Sequence, residues 1–215
     1  MKNIFIISLG LLLLTSCSHS ITRGTQYAKF YEEKPVSVLV MPPINNTTHP
    51  EAKEYFYSSL SYPLCEKGYY VVSPFLAMDL LKQESAYDSE NFINGSITPF
   101  KNVFGVDAVL FTVIDDWTKQ SLLNKIDVKI EYILKSTKTG EILFDRKGKI
   151  SVDCSVTSNG GLLGMALNII STAVTDKIVA ARRCNEIMLY DFPAGKYSPL
   201  FGKDMKLPAE KQEIK

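Results

Sequence analysis

Three short, nearly continuous apolar runs restrict the fold more than any other feature of the chain. Val36–Met41 (VSVLVM), Tyr69–Val72 (YYVV) and Asp107–Ile114 (DAVLFTVI) carry apolar side chains on both alternations, the pattern of strands covered on both faces. Strands of that kind lie in parallel sheets and need helical crossovers. The stretch between the first two supplies one. Pro50 suits a first helical position, Glu51 a first turn, and Tyr55, Phe56, Leu60 and Leu64 recur at three- and four-residue steps before Gly68. Residues 36–72 therefore read as a strand–helix–strand unit, right-handed by the general rule, with Pro63 bending the last helical turn.

Beyond this unit, Pro74–Lys82 predicts a helix starting at Ser73, Gln83–Gly95 a polar loop, and Thr98–Phe104 a short helix ended by Gly105. The period then changes. Ile126, Val128, Ile130, Tyr132 and Leu134 alternate with Lys125, Asp127, Lys129, Glu131 and Ile133, which is a strand with one wet face. A turn at Thr137–Gly140 and a return over Ile142–Val152 complete an antiparallel meander. Leu162–Ala181 reads as one long apolar helix near the C-terminus, and Ile187–Tyr190 as a final edge strand. The expected fold class is α/β: a mixed sheet with parallel central strands plus the meander, and helices packed on it.

The first residues belong to export rather than structure. Lys2 precedes the apolar run Ile4–Leu14, and Leu14-Thr15-Ser16-Cys17 has the order of a bacterial lipobox. The run is far short of the roughly twenty residues that span a bilayer, and Cys17 is the expected site of lipidation, a palmitate-type anchor of several acyl chains. The chain is thus expected to divide into a signal peptide (1–16), a lipid-anchored polar tether (17–34), one α/β domain (35–201) and a disordered tail (202–215). With 24 basic and 23 acidic residues, one of the former in the leader, the body is close to neutral. It has no electrostatic footprint for nucleic acid, so the membrane partner is reached through the lipid.

Of the four cysteines, Cys65, Cys154 and Cys184 remain after acylation of Cys17, an odd number in which at least one stays free or bridges two copies. No C-x-x-C occurs. Free thiols are the first expectation. If a pair forms within the chain, the predicted topology favours Cys65 with Cys184, because Cys154 falls at the other end of a helix about 30 Å long.

Candidate chemistry is sparse. His19 and His49 stand apart and form no metal-ligand spacing. Gly160, Gly161 and Gly164 match neither a dinucleotide fingerprint nor a phosphate loop; with Asn168 they let a helix approach a neighbour closely. The apolar helix, including Leu162, Leu163 and Gly164, is therefore either an oligomer or partner surface or a helix buried in its own core. Asn45, Asn46 and Thr47 in the loop after Pro42-Pro43 offer side-chain amides and a hydroxyl to a partner. Asp115 and Asp116 form an acidic pair at the end of a buried strand, where open α/β sheets place ligands; no third acid or base joins them. No catalytic residue, metal site or cofactor is expected.

Taken together, VLVMPPINNTT (38–48), Pro-Leu-x-x-Lys-Gly-Tyr-Tyr-Val (63–71), Phe-Gly-Val-Asp-Ala (104–108) and Asn-Gly-Gly-Leu-Leu-Gly (159–164) resemble the bacterial outer-membrane lipoprotein family of unknown function of the meningococcal-antigen type. The resemblance covers about Lys34 to Phe201. The opening pattern is also similar to the amino-terminal domain of TolB and to the curli-secretion lipoproteins. The resemblance implies an α/β domain on the periplasmic side of the outer membrane, accessory to export or envelope assembly, and supplies no catalytic residues. Ser18 after Cys17, with no Asp there, agrees with outer-membrane sorting. The expected function is that of a non-enzymatic scaffold or adaptor binding other envelope proteins, with homo-oligomerisation one mode of contact; the alternative is a periplasmic module binding a small molecule or glycan near Asp115.

Overall fold

The computed structural model describes residues 21–120, 125–153 and 172–214. Its centre is a mixed sheet of seven strands. β1 (Ser37–Val40) lies between β3 (Tyr70–Val71) and β4 (Ala108–Gln120), parallel to both, while β2 (Ile44–Asn45) pairs parallel with β4 further along. β5 (Lys125–Ser136) and β6 (Ile142–Asp153) add the antiparallel meander, and β7 (Glu213–Ile214) pairs parallel with β6 to close the order β3-β1-β4-β5-β6-β7. The helices are α1 (Arg23–Gln26), α2 (Ala28–Glu33), α3 (Glu51–Glu66), α4 (Pro74–Gln83), α5 (Glu90–Ile93), α6 (Thr98–Phe104) and α7 (Thr172–Met188).

The two-sided burial of the parallel strands follows from their alternation. Val38, Val40, Ala108 and Leu110 face a core shared with α2, α3 and α7. Leu39, Met41, Val109 and Phe111 face a second core under α4 and α6. In β5 the alternate residues Ile126, Val128, Ile130, Tyr132 and Leu134 are all buried in the first core. Ile133, the one apolar residue on the wet alternation, packs against the second. Gly68 and Gly105 adopt the left-handed φ values of 89° and 67° that end α3 and α6.

Five expectations are corrected. Tyr70–Val71 is an edge strand rather than a doubly covered one, and Tyr70 is 63% exposed. The expected edge strand at Ile187–Tyr190 is the end of α7 and the turn after it, because the spacing of Ala180, Ala181, Cys184 and Met188 carries a buried helical face past residue 181. Among the described residues no long apolar helix is found. α7 is amphipathic over its described side chains, and residues 162–171 lie outside the described residues.

The remaining corrections concern the two ends of the domain. The stretch read as a tether folds from residue 22 onward: Thr22 caps α1, and Tyr27, Phe30 and Tyr31 are buried. The stretch read as a disordered tail returns beside it. Arg23 N–H donates to the Leu207 carbonyl (2.9 Å), Ala209 N–H to that of Ile21 (2.8 Å), and Lys147 N–H to that of Gln212 (2.8 Å). Phe30 meets Tyr69 and Phe192 edge to face. Tether and tail look polar residue by residue, yet each contributes side chains that are buried only by segments remote in sequence, Phe30 by Tyr69 and Phe192 and Asp204 beside Arg23.

A buried ion pair joins these ends to the sheet. Arg146 on β6 is fully buried; its Nη1 lies 2.5 Å from Asp191 Oδ1 and donates to the Met188 carbonyl, and its Nη2 donates to Tyr27 Oη (2.6 Å). Asp191 Oδ2 accepts from Tyr27 Oη (2.9 Å) and from Glu210 N–H (2.7 Å). Burial works to raise the Asp191 carboxyl, but its bonding and attraction to Arg146, with the Glu210 N–H and Tyr27 hydroxyl, hold it below its ordinary value. Replacing Arg146 by Ala leaves that charge buried and alone, and is expected to cost about 3–5 kcal/mol in urea unfolding. Since the folded pKa is the depressed one, the pair's stabilisation is present above the unfolded value near 3.9 and is lost as pH falls through the folded value. The wild type should therefore lose stability in acid more steeply than Asp191→Asn; parallel acid curves would contradict the assignment.

Candidate partner interface

The loop that leaves β1 is held by its own side chains. Asn45 Oδ1 accepts from Thr47 N–H (3.1 Å) and Thr47 Oγ1 (2.8 Å), and its amide donates to the His49 carbonyl (2.9 Å), an Asx turn that delivers the chain into α3. At the start of that helix Glu51 lies 2.5 Å from Lys177 of α7, a bond that lowers the Glu51 pKa. Asn45 and Thr47 are thus engaged within the loop, and His49 serves helix entry. Asn46 turns the other way: its amide donates to Asp115 Oδ1 (3.0 Å), whose second oxygen lies 3.4 Å from Lys129 Nζ.

Asp115 and Asp116 do not end their strand, as the sequence reading expected; β4 continues to Gln120. The ladder slips between Ile114 and Asp116, and the next buried residue after Ile114 is Trp117, three positions on. One extra residue is therefore accommodated as a bulge. Asp116 accepts from Thr118 Oγ1 (2.6 Å). The structure brings Asn46 and Asp115 into contact, but their polar groups are satisfied by one another and by Lys129. Cys17, Leu162, Leu163, Gly164 and Cys154 lie outside the described residues. Cys65 and Cys184 are both free, the first exposed and the second buried, and burial pushes the Cys184 thiol up. Among the described residues no group of three or more His, Cys, Asp or Glu converges as a metal site.

The surface feature that sequence reasoning missed is apolar. α4 buries Ala77 and Leu81, one helical turn apart, against the second core. Its outward side carries exposed apolar side chains beside Asp79 and Lys82: Phe75 is 75% and Leu76 59% exposed, with Leu80 a turn further on. A Tyr57 hydroxyl donating to the Pro74 carbonyl (2.9 Å) fixes the start of this helix. Tyr70 precedes it on β3, whose bonds from Tyr70 and Val72 N–H run to Val36 and Val38 on β1. By strand alternation the Val71 N–H points to the other side, where no strand of the described residues pairs. The signal was present in PFLAMDLL, where Phe75, Leu76 and Leu80 add apolar positions beyond the one stripe that a surface helix buries.

Residues 25–187 match the family described as "Putative lipoprotein GNA1162-like". The chain belongs to this family. A curated family lipoprotein of Neisseria meningitidis serogroup B is 27% identical over 183 residues, covering 82% of this chain and 85% of its own. The crystal structure of lipoprotein GNA1162 from Neisseria meningitidis is 28% identical with a TM-score of 0.50, covering 63% of this chain and 95% of that one. The LpoB C-terminal domain from Salmonella enterica is 18% identical with a TM-score of 0.36, over 60% of this chain and 95% of its own. The family match begins at residue 25, inside α1 and ahead of Lys34. Among the described residues no helix is long and apolar enough to cross a membrane.

If the α4 ridge is true surface, Phe75→Ser with Leu76→Ser should leave thermal stability within about 0.5 kcal/mol of the wild type. Leu81→Ala on the buried face of the same helix should cost about 2–5 kcal/mol. Equal losses in the two variants would show that the ridge is core.

Proposed function

We propose that this chain is a non-catalytic lipoprotein of the bacterial envelope, anchored at Cys17 on the periplasmic side of the outer membrane, and that it acts by binding another envelope protein as an accessory of export or assembly. The lipobox ending in Cys17 and membership of a lipoprotein family support the anchor. The observation that carries the binding role is the exposed apolar ridge Tyr70, Phe75, Leu76 and Leu80 beside the open edge of β3. Large exposed side chains grouped on one rigid segment are costly to leave in water and mark interaction surfaces, and an open strand edge offers backbone hydrogen bonds to an extended segment of a partner. The competing reading, a glycan or small molecule at Asp115, has weaker support because Asn46 and Lys129 already occupy that carboxylate.

The test is cross-linking in intact cells followed by purification from membranes. The wild type is expected to recover one partner protein in stoichiometric yield, and Phe75→Glu with Leu76→Glu to lose it while remaining folded and membrane-bound. Cys17→Ser should move the protein to the soluble periplasmic fraction. Recovery of the same partner by the double variant, or membrane retention of Cys17→Ser, would overturn the corresponding half of the proposal.

A further inference from the structure

The segment Leu200–Leu207 (LFGKDMKL) turns its apolar side chains outward. Leu200 (52%), Phe201, Met205 and Leu207 are exposed, and Lys203 and Lys206 are exposed between them. The single acidic residue of the segment, Asp204, is fully buried and turned inward: it accepts from Ala194 N–H (2.8 Å) and lies 3.7 Å from Arg23 Nη1. Its charge is thus matched inside the fold, and the outward charge of the strip is that of two lysines. A 3₁₀ turn at Asp204–Lys206 holds it, packed against α1 so closely that a Cβ on Gly24 would stand 3.1 Å from the Met205 carbonyl oxygen.

What faces this strip is set by the length of chain beside it. Ile21, itself exposed, accepts a hydrogen bond from Ala209 N–H, and Thr22 bridges Pro208. From Cys17 to Ile21 there are only Ser18, His19 and Ser20, so the two Cα atoms cannot be more than about 14 Å apart. The headgroup layer above the hydrocarbon is itself several ångströms thick. A domain folded from Ile21 onward has no room to stand away from the bilayer that holds its acyl chains.

We propose that Leu200–Leu207, with Ile21, docks on an anionic bilayer surface, the apolar side chains entering the headgroup layer and Lys203 and Lys206 meeting lipid phosphates. The inference rests on acylation of Cys17 as proposed above. Exposed apolar side chains rimmed by lysines are the composition of an interfacial membrane segment, because a lysine stem can lie along apolar surface while its ammonium reaches the phosphates. The docked strip fixes which side of the domain faces the membrane, and so presents the domain in one orientation.

The experiment uses the full acylated protein in vesicles of phosphatidylethanolamine and phosphatidylglycerol, part of it brominated in the acyl chains. Leu207→Trp and, independently, Leu200→Trp report on the strip, Thr48→Trp in the loop before α3 is the reference, and buried Trp117 is a constant background. Bromolipid is expected to quench both strip variants and to leave Thr48→Trp unchanged. Lys203→Glu with Lys206→Glu should lower the docked-to-undocked ratio about fivefold or more per lysine without reducing flotation. Protein that floats with the vesicles while its strip tryptophans stay unquenched overturns the docking and leaves the anchor standing. Protein that does not float overturns the anchor, and the docking with it.

Discussion

The buried pairing of Arg146 with Asp191 is the constraint on which the two ends of this domain depend. Arg146 stands in the middle of β6, paired across the sheet with Tyr132, where a charged side chain pointing into an aromatic core would be untenable alone. Its charge is met by a residue just past α7, its two terminal nitrogens also donate to the Met188 carbonyl and to Tyr27, and Asp191 in turn takes the Glu210 N–H. One ion pair therefore ties together β6, the segment before β1, the end of α7 and the stretch leading into β7. A buried pair of this kind is weak evidence for net stability. Its effect is to fix register: Tyr27 and Glu210 can satisfy the pair in one arrangement of the ends.

The strands and helices of the middle of the chain were legible because their signals are periodic. Runs apolar on both alternations marked β1 and β4, strict alternation marked β5, and Pro50 and Gly68 marked the ends of the α3 region. The ends were not legible because nothing periodic distinguishes them. TRGTQYAKFYEEK has the polarity of a linker, and Tyr27 and Phe30 meet Tyr69, Phe144 and Phe192, which are remote in sequence. Arg146 was read as part of an ordinary meander strand for the same reason: its partner lies on another element.

The candidate site divides in a similar way. Asn46 and Asp115, from separate motifs, do meet, and the bulge that aims Asp115 could have been inferred from the three-residue step between Ile114 and Trp117. The apolar ridge on α4 was visible as a helix with more apolar positions than one buried stripe needs. The strip at Leu200–Leu207 was not, since LFGKDMKL becomes informative only when Asp204 is found inside. The ridge sits on the β3–α4 segment and the strip at the joined ends of the domain.

The account stands on the claim that residues 22–33 and 207–214 are part of the folded core. Amide hydrogen exchange on the full-length protein measures this directly. The N–H groups of Tyr27, Tyr31 and Arg23, and those of Leu207, Ala209 and Glu210 on the other side, should open together with free energies close to those of β4 and β5. Exchange of either segment at the rate of unstructured peptide, with the sheet still protected, would show a tethered domain with a loose tail and contradict the structure described.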